Sequence, residues 1–169
     1  MSEEPQATER VTPTPPDGVV VESAVPDDRI AVLRVVDAAM LDVDAEALAD
    51  RIALGDVHVA RAERTGAVVG AVVIGRPEPG RRHVEAVAVR RERRGRGIGS
   101  ALVASAVDVA VTDSTVERVT AAFDPSLSSF YTDLGFVIEP EETGDDPTDD
   151  GDDDLDDRVR GVRGAGGDP

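Results

Sequence analysis

The chain has 169 residues, a length suited to one domain with a buried core. It has no cysteine, which excludes disulfides, a thiolate nucleophile and cysteine-based metal sites. Its 35 acidic residues against 18 arginines, with no lysine, leave a net charge of −17, which repels polyanionic partners.

The acid excess is uneven. Residues 138–169 hold 13 acids and three arginines, yet the remainder is acidic too. Self-repulsion of this size destabilises a compact state in dilute buffer, and 1 M salt screens it within about 3 Å. Acidity, absent lysine and small apolar side chains together point to a chain adapted to multimolar salt. Within this background residues 76–96 gather eight arginines against three acids, a local excess that focuses an anionic ligand.

Residues 1–16, rich in Pro, Thr and Glu, read as a disordered arm. The N-terminus lacks the apolar segment of a secretory signal, and no apolar run approaches about 18 residues. The expectation is a cytoplasmic protein off the membrane, with a domain over residues 17–138. Gly18 to Ala24 reads as a strand. Pro26-Asp27-Asp28 starts a helix whose apolar positions are Ile30, Leu33, Val36 and Met40. A short second helix is predicted over Ala45–Ile52, capped by Asp44.

Val57–Glu63 and Ala67–Gly75 form a hairpin around Arg64-Thr65-Gly66. His58 on its first strand reads as structural. Pro77-Glu78-Pro79-Gly80 turns the chain into the strand His83–Val89. That strand runs into Arg90-Arg91-Glu92-Arg93-Arg94-Gly95-Arg96-Gly97-Ile98-Gly99-Ser100, then a helix from Gly99 to about Thr112 with Leu102, Ala106, Val109 and Ala110 on one face. Glycines before a helix N-terminus let backbone N–H groups and the helix dipole meet an anion. A Walker loop needs a lysine that is absent, and the dinucleotide fingerprint fails at Ser100 in one register and at Leu102 in the other. An RNA-binding Arg-Gly turn would need interleaved aromatics, and none is present.

Val116–Phe123 is the next strand, and Asp124-Pro125 opens a helix ending near Leu134 with Gly135 as its cap. Phe136–Ile138 begins a further strand. All four aromatics of the chain, Phe123, Phe130, Tyr131 and Phe136, lie in this stretch. An acidic insert covers 139–156. Asp146, Asp150, Gly151 and Asp157 match part of a calcium loop, but Thr148, Pro147 and the missing Glu argue for a solvated loop. Residues 157–169 hold a candidate last strand, Asp157–Val162, and a tail. The pattern is a mixed α/β layer arrangement.

Arg94, Gly97 and Gly99 fit Arg/Gln-x-x-Gly-x-Gly/Ala, and Phe130-Tyr131-x-x-Leu134-Gly135-Phe136 resembles a second segment of the same family. The chain thereby resembles the GNAT family of N-acetyltransferases over most of residues 18–138. The resemblance implies the acyl-CoA N-acyltransferase fold, a mixed central sheet flanked by helices in a single domain, with the first two helices beside the substrate entrance. It implies acetyl-CoA as cosubstrate, held by Arg94, Gly95, Arg96, Gly97, Ile98, Gly99 and Ser100, and by the backbone of Val87, Ala88 and Val89. Asp124 stands near a family asparagine that contacts the pantetheine arm. Tyr131 is the counterpart of a tyrosine that often protonates the departing thiolate in that family, with a purely structural tyrosine as the alternative.

The base is open between His83 and Glu85. Alternation puts both on one face with Val87 and Val89, where they serve as base or line a polar cleft. Histidine has the better ordinary pKa for the task. The expected reaction moves an acetyl group to a primary amine in a ternary complex, without a metal, in a monomer or homodimer. The rival class is a binding module that keeps the coenzyme site and performs no transfer.

Overall fold

The computed structural model describes residues 14–41, 43–139 and 159–164. Seven strands form one sheet: β1 (Val19–Ser23), β2 (Val57–Ala62), β3 (Val68–Gly75), β4 (Arg81–Val89), β5 (Arg118–Phe123), β6 (Val137–Glu139) and β7 (Val159–Gly164). The order across it is β1-β2-β3-β4-β5-β7-β6. All neighbours are antiparallel except β4 and β5. The last strand lies between β5 and β6, which makes the far third of the sheet depend on β7. Its described part is Val159–Gly164; Asp157, the calcium-like spacing and the segments 1–13, 140–158 and 165–169 lie outside the described residues.

Helices α1 (Arg29–Ala38) and α2 (Ala45–Ala53) cover one face of the sheet. Their core is Val32, Val35, Val36, Leu48 and Ile52 against Val57, Val59, Ala71, Val73, Ala86 and Ala88. The helix α3 (Ile98–Thr112) covers the other face, with Ile98, Leu102, Val103, Val107 and Ala110 on Val72, Val84 and Val119. The short α4 (Ser128–Asp133) brings Tyr131 to that same core.

Two apolar faces differ from the periodic reading. In α1 the buried positions are Val32, Val35 and Val36, while Ile30 is 65% and Met40 93% exposed. The helix stops at Ala38, and Met40 takes a left-handed φ of 59°, so it leaves the helical face altogether. In α3 Val109 is half exposed, and the buried stripe is wider because small residues all round let the sheet approach. Asp44 caps α2 as expected, accepting from the N–H groups of Glu46 and Ala47 at 2.8 and 3.3 Å. Arg61 on β2 ties Asp28, at the start of α1, to the sheet through two 2.9 Å contacts. His58 is buried, with Nδ1 2.9 Å from Ser105 Oγ on α3, the structural role its sequence context suggested.

Candidate active site

The site forms where β4 and β5 part. Their parallel ladder runs only from Arg81–Arg118 to Val84–Ala121. Glu85 follows at once, and it is the extra residue of a β-bulge: Ile74 pairs Val84, while Val73 pairs Ala86. A bulge bends its strand and ends local pairing. β5 leaves on its own course at Asp124-Pro125, where a 3-10 turn, Pro125–Leu127, begins. The gap between the strands is a cleft of about 700 Å³.

The bulge also changes which side chains share a face. Arg82 reaches Asp113 at the end of α3, and Val84, Val87 and Val89 join the α3 core, whereas Ala86 and Ala88 join the α1–α2 core. Glu85 meets Arg51 of α2, so it points to the α1–α2 side. His83, Glu85, Val87 and Val89 therefore do not share one face. A strict period of two fails wherever one extra residue enters a strand.

Backbone polarity follows the same geometry. Arg90 N donates to Val69 O across β3 at 2.8 Å. By alternation Val87 and Val89 turn their N–H and C=O groups to the opposite edge, into the cleft. There Val89 O accepts from Arg94 Nε at 3.0 Å. Ala88, expected to offer backbone to the ligand, turns its polar groups toward β3 although the residue lines the cleft.

The turn before α3 lines one part of the cleft. Gly95 and Gly97 have φ of 76° and 85°, a left-handed backbone that side-chain-bearing residues resist. The first helical bond runs from Ala101 N to Gly97 O, which leaves the N–H groups of Ile98, Gly99 and Ser100 without intrahelical partners at the cleft wall. Arg93 and Arg94 line the same cleft. A dipole, three free amides and two guanidiniums suit a pyrophosphate. Arg96 is exposed and does not line the cleft.

Glu85, ahead of Val87 and Val89 on β4, lines the cleft away from that turn, and Tyr131 and Asp124 line it too. Tyr131 is 6% exposed, stacked on Phe123 at 4.0 Å between centroids and edge-on to Phe130 and Phe136. It both packs the core and borders the cleft. The helix behind it is shorter than its sequence suggested, because residues 125–127 wind as a 3-10 turn. Asp124 caps that turn, its carboxylate accepting from Ser126 N at 2.9 Å. His83 stands outside the cleft, its Nδ1 2.8 Å from Thr120 Oγ1. Arg93, Ala39, Leu41, Leu127 and Phe130 line the cleft without having been assigned to it from sequence. Arg93 had a signal in the arginine cluster. The two α1–α2 loop residues had none, since proximity across the fold brings them there. Among the described residues no three His, Asp or Glu side chains gather as metal ligands.

Comparison with known proteins gives this geometry a context. Residues 34–136 match the family model described as Acetyltransferase (GNAT) family. Ard1 of Thermoplasma volcanium superposes with a TM-score of 0.64 at 18% identity, over 87% of this chain and 97% of that one. Rv2747 of Mycobacterium tuberculosis, solved in complex with CoA, gives 0.66 at 21%, over 85% and 97%. N-acetylglutamate synthase of Neisseria gonorrhoeae, solved with CoA and N-acetyl-glutamate, gives 0.64 at 18%, over 88% of this chain but 35% of that one. No curated protein sequence matches the chain. The structural likenesses establish the fold, and the family model spans more than half of the sequence: the chain belongs to the acetyltransferase (GNAT) family.

Proposed function

We propose that the cleft binds acetyl-CoA and transfers its acetyl group to a primary amine by direct attack. The observation that carries this reading is the cleft's lining. One wall offers helix amides, Arg93 and Arg94 to a pyrophosphate, and Glu85 and Tyr131 line the same cleft for the reacting atoms. Between them runs the unpaired edge of β4. The Val87 N–H donates to the thioester oxygen, orienting the carbonyl and stabilising the oxyanion that forms there.

The acceptor enters from the α1–α2 side. Its ammonium gives a proton to Glu85, and its nitrogen lone pair forms the C–N bond to the acetyl carbon. The tetrahedral intermediate collapses by breaking the C–S bond; Tyr131 Oη protonates the departing thiolate, and the second proton shed by the attacking nitrogen as the amide forms restores the phenol. Glu85 is favoured over His83 as base because it lines the cleft and His83 does not. No covalent enzyme intermediate or metal is needed. Loss of the Tyr131 hydroxyl lowers kcat and leaves the ring stack in place.

A second reading has one observation in its favour. Tyr131 is fully engaged in an aromatic stack, as a packing residue would be. A module that binds the coenzyme without transfer would look the same at this position. Two measurements separate the readings. Acetyl-CoA at about 100 times its Kd adds about 2.7 kcal/mol to stability under either one. Release of the CoA thiol with a panel of amino acids, polyamines and lysine peptides occurs only in an enzyme. Tyr131→Phe then lowers kcat. A Tyr131→Phe protein as fast as wild type removes the hydroxyl from the mechanism.

A further inference from the structure

Glu85 does not stand alone in the cleft. It forms an ion pair with Arg51 from the last turn of α2, and the two side chains are 34% and 25% exposed. Arg51 sits on a firmly held segment. Leu48 and Ile52, on either side along the helix, are buried, and Asp56 N donates to Arg51 O at 2.9 Å. On the other side the carboxylate lies against Gly75 of β3, where a Cβ would collide with its oxygen. Gly75 has no left-handed φ that would demand glycine. The space above it is what the carboxylate uses.

We propose that Arg51 and Gly75 are positioning residues that hold the Glu85 carboxylate on the acceptor face of the cleft. Three features converge on this role. The bulge releases Glu85 from the ladder at the point where β5 departs. The missing Cβ at residue 75 opens a seat for its carboxylate. The guanidinium of Arg51 pins it there with a charge-assisted bond. A flexible glutamate at a bulge otherwise samples several rotamers, and a base must lie within hydrogen-bond reach of the proton it takes. The role rests on Glu85 acting as the base of the proposed reaction.

The test separates the two claims. Protein carrying ¹³C at glutamate carboxyls is prepared as wild type, Arg51→Ala, Arg51→Lys and Gly75→Ala, and Glu85→Gln identifies the Glu85 resonance. That resonance moves in Arg51→Ala and Gly75→Ala and returns toward wild type in Arg51→Lys. With the fastest amine of the panel, kcat falls at least tenfold in the first two variants, a part of the roughly 10²–10⁴-fold that a general base contributes. The KM for acetyl-CoA is unchanged, Arg51→Lys recovers kcat, and Arg51→Ala costs nothing more in a Glu85→Gln background. Gly75→Ala keeps both charges, so a loss there reads geometry alone. An unmoved resonance in both variants overturns the proposal. So does a wild-type kcat in Arg51→Ala beside a crippled Glu85→Gln, or losses that multiply in the double variant. Glu85→Gln at wild-type kcat instead overturns the base assignment, and the role given to Arg51 falls with it.

Discussion

His58 shows how one buried side chain makes stability depend on pH. Burial pulls its imidazole below the ordinary value, and the charge of Asp56 opposes that pull without cancelling it. The unfolded chain therefore takes up a proton that the folded chain resists. The stability contribution is intact above the ordinary value of about 6.5 and is lost as pH falls through it toward the folded value. His58→Gln flattens the unfolding midpoint between about pH 7.5 and 5.5 relative to wild type, since His83 is common to both proteins. An identical slope in the two proteins would mean that His58 carries no such coupling. The same scale shows what the residues announced. The burial of His58 agrees with the sequence reading, and Glu85 and Tyr131 line the cleft in which their roles are proposed. The retreat of His83 to Thr120 departs from that reading, because a hydrogen bond from β5 is invisible in the sequence of β4.

At the scale of the element, the turn before α3 assigns different duties to glycines that look alike in sequence. Gly97 caps the helix at φ 85°, and a Cβ there would meet nothing within 4 Å. The cost of Gly97→Ala is then one of backbone conformation, about 1–2 kcal/mol. Gly99 is already helical, and a Cβ on it would touch the Phe130 ring at an ordinary 3.7 Å. Gly99→Ala changes stability little, because alanine's helix preference offsets any small contact penalty. Urea unfolding of the two variants checks the contrast, and equal costs would contradict it. Acetyl-CoA binding weakens in Gly97→Ala as well, since the amides of Ile98 to Ser100 are aimed by that cap. Element identities were legible wherever apolar period, cap and turn residue agreed, as at Asp44 and Gly135. The boundaries slipped where neighbours intervened. β4 extends back to Arg81 because it pairs with Arg118, and the 3-10 turn at 125–127 shortens α4.

For the whole molecule the governing quantity is charge. A net −17 on 169 residues repels itself, and added salt screens the repulsion. The unfolding midpoint is expected to rise from dilute buffer to multimolar KCl, and a midpoint indifferent to KCl would refute the reading of a salt-adapted chain. Several ion pairs tie elements together at a distance in sequence: Arg61 with Asp28, Arg76 with Asp56 and Arg82 with Asp113. They place some arginines in the framework, so the charge available to a ligand is carried by residues 90–96 rather than by the whole stretch from Arg76. No helix among the described residues is long and apolar enough to cross a membrane.

By itself the sequence determined the element order, the glycine-rich turn before α3 and the family, because each is encoded by contiguous residues: an apolar period, a glycine spacing, a helix cap. Tertiary structure decided the rest. It set β7 between β5 and β6, parted β4 from β5 and made Glu85 a bulge. It also brought Arg51 and Gly75 to Glu85 from elements 34 and ten residues away. Strand register and cross-strand contact are properties of two segments together, and neither segment carries them alone.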